Sequence, residues 1–176
     1  GEDITRNLDF VEGINKTLPT DFPKNIEIRG EVFMKKNIFE ELNKKRKMQG
    51  LSLFSTPRNA AAGSIRQLDP EIARDRKLSF YGYTIIGDKE FFGDSLNKIR
   101  EILLKYNFSL NQPSKLCKSL EEMIKFYEEV SNIRNLLDYD IDGIVYKLDS
   151  IEEQKKLGES NRWPRWALAH KFPAEN

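Results

Sequence analysis

Residues 26–33 alternate apolar and polar side chains, with Glu27, Arg29 and Glu31 on one face, the period of a half-buried strand. A helix is predicted next, running to about Gly50. Thr56-Pro57 sets a capping hydroxyl before a proline suited to the first helical position, opening a short helix through Arg66, and Asp69-Pro70 repeats the device. Helical spacing marks residues 95–106 and 120–134. The second of these begins with the capping box Ser119-Leu120-Glu121-Glu122 and carries the stripe Leu120, Met123, Ile124, Tyr127 and Val130, predicted to be core. Further strands are predicted over 78–86, 142–148 and 166–172, with Ser150 capping a short helix that Gly158 ends. The class predicted is α+β with a mainly antiparallel sheet system.

With 176 residues and 39% apolar side chains, the chain suffices for one compact domain. It holds no run of 18 or more apolar residues and begins Gly1-Glu2-Asp3, so no membrane span or signal peptide is expected and the cytoplasm is the expected location. A lone Cys117 and a lone His170 offer neither a disulfide nor a zinc-binding spacing, so no structural metal is expected. The 29 Lys and Arg against 28 Asp and Glu leave a net charge of +1, and nucleic-acid binding would need a local basic face. The densest cluster, Lys44-Lys45-Arg46-Lys47, reads as the solvated side of a helix.

Three stretches carry candidate chemistry. In the first, Pro57 to Arg66, small residues allow close helix packing, but Arg58 in the first turn opposes the helix dipole at a cost of about 0.3–1 kcal/mol. Eight positions on, Arg66 returns to within about 80° around the axis, so the pair suits either one anionic surface or ordinary salt bridges. In the second, Asp140 to Lys147, Gly143, Val145 and Lys147 share a face, where the glycine either leaves room for a planar ligand or marks a tight sheet crossing. In the third, Trp166 to Pro173, Trp166, Leu168, His170 and Phe172 point one way and Ala167, Ala169 and Lys171 the other. Lys147 and Lys171, expected to be buried above small side chains, suggest a pocket for a flat anion such as a nucleotide. His170, on the face opposite Lys171, is expected to pack.

Taken together, GEVF (Gly30 to Phe33), PRNAAAGSIRQLDP (Pro57 to Pro70), FYGY (Phe80 to Tyr83), DIDGIVYK (Asp140 to Lys147) and PRWALAHKFPAE (Pro164 to Glu175) resemble the signatures of the NAD-dependent DNA ligases, in their adenylation or nucleotidyltransferase domain. The PRNAAAGS-type stretch is the specific one, since related nucleotidyltransferases carry strands like DGIVYK. The resemblance implies that Tyr83 stacks on adenine, that Val145 packs on its other side and that Glu31 contacts the ribose. It implies that Lys147 and Lys171 neutralise the transferred phosphate, and that Arg58, Arg66 and Arg134 engage phosphates of the adenylate or of nicked duplex DNA. It also implies NAD as the source of AMP and magnesium as a cofactor, although no carboxylate cluster in the sequence fixes magnesium ligands.

The family's nucleophile is the lysine of a Lys-x-Asp-Gly motif, which does not occur in these residues; Lys147-Leu148-Asp149-Ser150 matches only its start. The chain is therefore expected to be the C-terminal portion of an adenylation domain, over residues 1–176, working with other domains of the same ligase and unable to adenylate itself. The alternatives are an ATP-dependent ligase or capping-type nucleotidyltransferase, and a non-catalytic nucleic-acid-binding module.

Overall fold

The computed structural model describes residues 1–173; Ala174 and Glu175, the end of the last signature stretch, lie outside them. The chain runs α1 (Thr5–Leu8), β1 (Glu27–Phe33), α2 (Lys36–Met48), α3 (Pro57–Ile65), α4 (Pro70–Asp75), β2 (Ser79–Ile86), α5 (Lys89–Phe92), α6 (Leu96–Lys105) and α7 (Leu120–Ile133). A 3-10 turn at Arg134–Leu136 leads into β3 (Gly143–Lys147), α8 (Ile151–Leu157) and β4 (Ala167–Lys171). The fold is α+β with two two-stranded antiparallel sheets, as the patterning predicts. Local capping chemistry explains where the helices start. Thr56 Oγ1 accepts from the Asn59 amide at 3.1 Å, Asp69 Oδ1 from Glu71 at 3.0 Å, Ser119 Oγ from Glu122 at 3.2 Å and Ser150 Oγ from Glu153 at 3.3 Å.

In the first sheet β1 pairs with β2 from Glu27↔Ile86 to Phe33↔Ser79, and the register slips between Arg29 and Gly30, leaving Tyr83 as the extra residue of a bulge. Gly30 permits the close approach of β2, because a Cβ there would stand 2.2 Å from Phe80 Cζ and 2.3 Å from the Tyr81 carbonyl. Two apolar clusters pack against one face of this sheet, the face of Ile28, Val32 and Phe80. One joins Phe22, Ile85, Phe92, Ile99, Leu103, Phe108 and Leu110, so that α6 covers the sheet. The other joins Val11, Met34, Leu78 and the buried Ala60, Ala61 and Ile65 of α3, whose small side chains let the helix lie against β1. Buried Asn7 closes the end of that helix, donating to the Ile65 and Gln67 carbonyls at 2.6 and 2.8 Å.

In the second sheet β3 and β4 pair from Gly143↔Lys171 to Lys147↔Ala167. One side carries Ile144, Tyr146, Leu168 and His170, and there α7 packs through Tyr127, stacked on His170 with ring centroids 3.7 Å apart. His170 also hydrogen-bonds the Tyr146 hydroxyl at 2.9 Å through Nδ1, the packing role expected of it. The ribbon is tied to the rest of the molecule at both ends. The Leu96 amide donates to Asp149 O and Ile151 to Asp94 O, each at 2.9 Å, and the Lys36 amide donates to Asp138 O at 2.8 Å.

One expectation about burial fails in the helices. Of the α7 stripe only Val130 is buried, at 2% exposure, while Leu120 and Ile124 stand 69% and 47% exposed. Helical spacing reports that an apolar face exists, and here β3 and β4 are too short to cover its whole length. The basic block on α2 is solvated as expected: no residue of that helix is buried, and Arg46 lies over the Phe54 ring at 4.6 Å. Among the described residues no helix is long and apolar enough to cross a membrane.

Candidate nucleotide site

Between the two sheets runs a cleft of about 1370 Å³, lined by Glu31, Arg58, Tyr81, Tyr83, Asp142, Val145 and Lys147 among others. It continues around the ribbon to Met123, Phe126 and Val130 of α7, so a nucleotide would fill only part of it. Each sheet presents one face. On β1 and β2, Glu31 and Tyr81 are directly opposed, and the Tyr81 hydroxyl donates to Glu31 Oε2 at 3.0 Å. Without the bulge at Tyr83, a strict two-residue alternation that turns Tyr81 and Tyr83 to the cleft would turn Ile85 there as well; the extra residue lets Ile85 enter the core.

On β3 and β4 the register brings two predicted faces together: Gly143, Val145 and Lys147 pair with Lys171, Ala169 and Ala167, so all six side-chain positions share one side. The floor of small residues is real, but the lysines are not buried as expected. Both are exposed, since a two-stranded ribbon presents this face directly to the cleft. They also stand at opposite ends of the ladder, four residues or about 14 Å of strand apart. The Lys147 ammonium lies 4.9 Å from the centre of the Tyr83 ring, a cation–π contact. The protein wall around it removes water, and that, with the nearby Arg100 guanidinium, pulls the Lys147 ammonium below the ordinary lysine range.

Lys171 Nζ instead meets Asp142 Oδ2 at 2.6 Å. That hydrogen bond holds the Asp142 carboxyl below the usual carboxylate range, and Arg58 contributes more weakly in the same direction. The reading of Gly143 as space for a ligand gives way to the tight crossing: a Cβ there would stand 2.3 Å from the His170 carbonyl oxygen, so β4 fills that space.

The arginines separate. Arg58 reaches the cleft, whereas Arg66, at the C-cap of α3, pairs with Glu2 at 3.3 Å. Arg134 lies outside the cleft lining, over the Phe172 ring at 5.5 Å, with Nη1 donating to the Pro173 carbonyl at 3.3 Å. No group of three or more His, Cys, Asp or Glu able to hold a metal ion occurs among the described residues. Glu31 and Asp142, the carboxylates on the two facing sheets, are engaged through one oxygen each by Tyr81 and Lys171.

The family model for the NAD-dependent DNA ligase adenylation domain matches residues 1–175. The chain belongs to that family. A DNA ligase of Bartonella quintana is 46% identical over 175 residues, covering 99% of this chain and 24% of that protein. DNA ligases of Wigglesworthia glossinidia brevipalpis and Dehalococcoides mccartyi are each 44% identical, again over 99% of this chain and over 30% and 26% of their own lengths. The chain thus spans about a quarter of the length of the curated relatives it matches.

For an adenylation-domain chain, the structure gathers five of the eight expected site residues in one cleft: Glu31, Arg58, Tyr83, Val145 and Lys147. Lys171 joins them through Asp142, and Arg66 and Arg134 stand elsewhere. Sequence reasoning passed over Asp142, Tyr81 and Arg100. Asp142 had a signal, because an exposed lysine at the end of a ladder invites a carboxylate one residue beyond its partner. Tyr81 and Arg100 had none, since their roles depend on register and on the docking of α6.

Proposed function

We propose that this chain is the adenylate-binding part of an NAD-dependent DNA ligase that seals nicks in duplex DNA through lysyl-AMP and DNA-adenylate intermediates. The convergence of Glu31, Tyr83, Val145 and Lys147 in one cleft between two sheets carries the reading. Tyr83 offers an aromatic platform for adenine and Val145 an apolar surface for its other side. Glu31 accepts from the ribose. Lys171 neutralises the phosphate being transferred, and Lys147 reaches the same phosphate once it leaves Tyr83. Arg58 lies close enough to Asp142 to act on phosphate beside Lys171, while Arg66 and Arg134, outside the cleft, engage the nicked duplex. NAD supplies the AMP, magnesium is the divalent cofactor, and the cytoplasm is the setting. The attacking lysine belongs to a Lys-x-Asp-Gly motif elsewhere in the ligase.

In the parent reaction that lysine attacks NAD and releases nicotinamide mononucleotide, AMP passes to the 5′-phosphate of the nick, and the 3′-hydroxyl displaces AMP. This chain binds, orients and neutralises; it does not attack. The test is incubation of the chain and of the ligase that carries it with NAD, magnesium and nicked DNA, followed by intact-protein mass spectrometry and a sealing assay. The ligase gains one AMP and seals the nick, and the chain alone gains none. Covalent AMP on the isolated chain would overturn the placement of the nucleophile. Sealing with ATP but not NAD would favour the ATP-dependent class, and salt-sensitive DNA binding without nucleotide affinity would favour a binding module.

A further inference from the structure

We propose that Tyr81 is a positioning residue for Glu31, fixing the carboxylate so that it can accept hydroxyl groups of the nucleotide's ribose; this rests on the nucleotide reading of the cleft. Glu31 and Tyr81 are directly opposed across β1 and β2, and the phenol donates to Oε2 at 3.0 Å. One carboxylate oxygen is thereby engaged and the other keeps its lone pairs for a ligand. Glu31 is exposed, and a solvated glutamate samples many rotamers. The hydrogen bond removes most of that freedom before a ligand arrives.

The tyrosine is itself well held. Its ring lies 5.3 Å from that of Phe33 and 6.1 Å from that of Tyr139, and the Tyr139 hydroxyl is anchored on the Gln112 carbonyl. These three rings separate the nucleotide cleft from a second cavity of about 230 Å³ that they also line, so the phenol is set in a wall and does not swing freely. Burial, and then the negative charge of Glu31, raise the Tyr81 phenol well above the ordinary tyrosine range, so it remains a donor at any pH at which the protein works.

A purely structural cross-strand pair would make the same contact, so the test must separate the two roles. In the ligase that carries this chain, binding of adenosine and of adenine is measured by calorimetry for the wild type, Tyr81→Phe, Glu31→Ala and the double variant. Tyr81→Phe keeps the ring and loses only the hydroxyl. Affinity for adenosine falls about three- to tenfold while affinity for adenine, which has no ribose, is unchanged. The unfolding midpoint without ligand stays the same, and Tyr81→Phe has no further effect once Glu31 is alanine. Equal losses for adenosine and adenine, an unchanged adenosine affinity, or a full effect persisting in the Glu31→Ala background would each overturn the inference. Wild-type protein that binds adenine no worse than adenosine overturns this inference together with the ribose contact of Glu31, and leaves the stacking and phosphate parts of the nucleotide reading standing. Wild-type protein that binds neither overturns the nucleotide reading with it.

Discussion

The two sheets have the same antiparallel pairing and opposite surroundings. β1 and β2 set one face on two apolar clusters and bury Ser79, Gly82 and Ile85, whereas four of the five residues of β4 are exposed, including Leu168 at 67%. Burial stabilises the first sheet, and the second depends on its ladder, on α7 behind it and on the ties at its ends. A substitution in the first sheet's packing is therefore felt by the fold, while one on the cleft face of the second is felt by the chemistry.

Three substitutions sharpen that contrast. Leu103, 1% exposed beneath the first sheet, gives the largest expected effect: Leu103→Ala costs about 2–5 kcal/mol of stability, read from denaturant unfolding, because the site cannot collapse around the void. A loss below 0.5 kcal/mol would mean that α6 is not part of the core. Lys171→Ala in the parent ligase shows the reverse pattern, lowering nucleotidyl transfer by about 10²–10³-fold, or 3–4 kcal/mol, with the unfolding midpoint nearly unchanged. Full-rate formation of lysyl-AMP by this variant would remove the phosphate role proposed for the residue.

The smallest effect concerns pH. Asp142 has a folded-state pKa below its ordinary value of 3.8, so its pair with Lys171 adds stability that is fully present above about that pH and is lost as pH falls through the lower folded value. Both side chains are largely solvated, at 66% and 85% exposure, so the contribution is small. Asp142→Asn should flatten the acid limb of the stability curve and leave neutral pH almost unaffected. An acid limb identical to wild type would show that the pair does not form in solution.

Much of this fold is legible because its signals are local. A hydroxyl or carboxylate before a helix satisfies an amide two or three residues away, and Thr56, Asp69, Ser119 and Ser150 all do so. Strand faces follow from alternation, which is how Gly143, Val145 and Lys147 were grouped. What stayed hidden depends on where one strand meets another: the bulge at Tyr83, the opposition of Glu31 and Tyr81, and the meeting of the two small-residue faces are all matters of register. The short helices α1 and α5 escaped because four residues cannot display a period. The expected burial of the two lysines failed for a related reason, since alternation assigns a side chain to a face but does not say how deeply that face is covered.

In the nucleotide reading proposed above, the ammonium of Lys147 over Tyr83 makes adenylate binding an exchange. A flat ring taking that face of Tyr83 must first evict a cation whose contact is worth about 0.5–1 kcal/mol at an accessible site, and more where water is scarce. A bare base offers the evicted charge no destination, and its stacking gain is reduced by the lost contact. A ligand carrying both a base and a phosphate gives the ammonium a stronger partner within reach of the same side chain. On that reading the cleft would grade its visitors by whether they rehouse the charge they displace, a selectivity for nucleotides over bases that requires no additional residue.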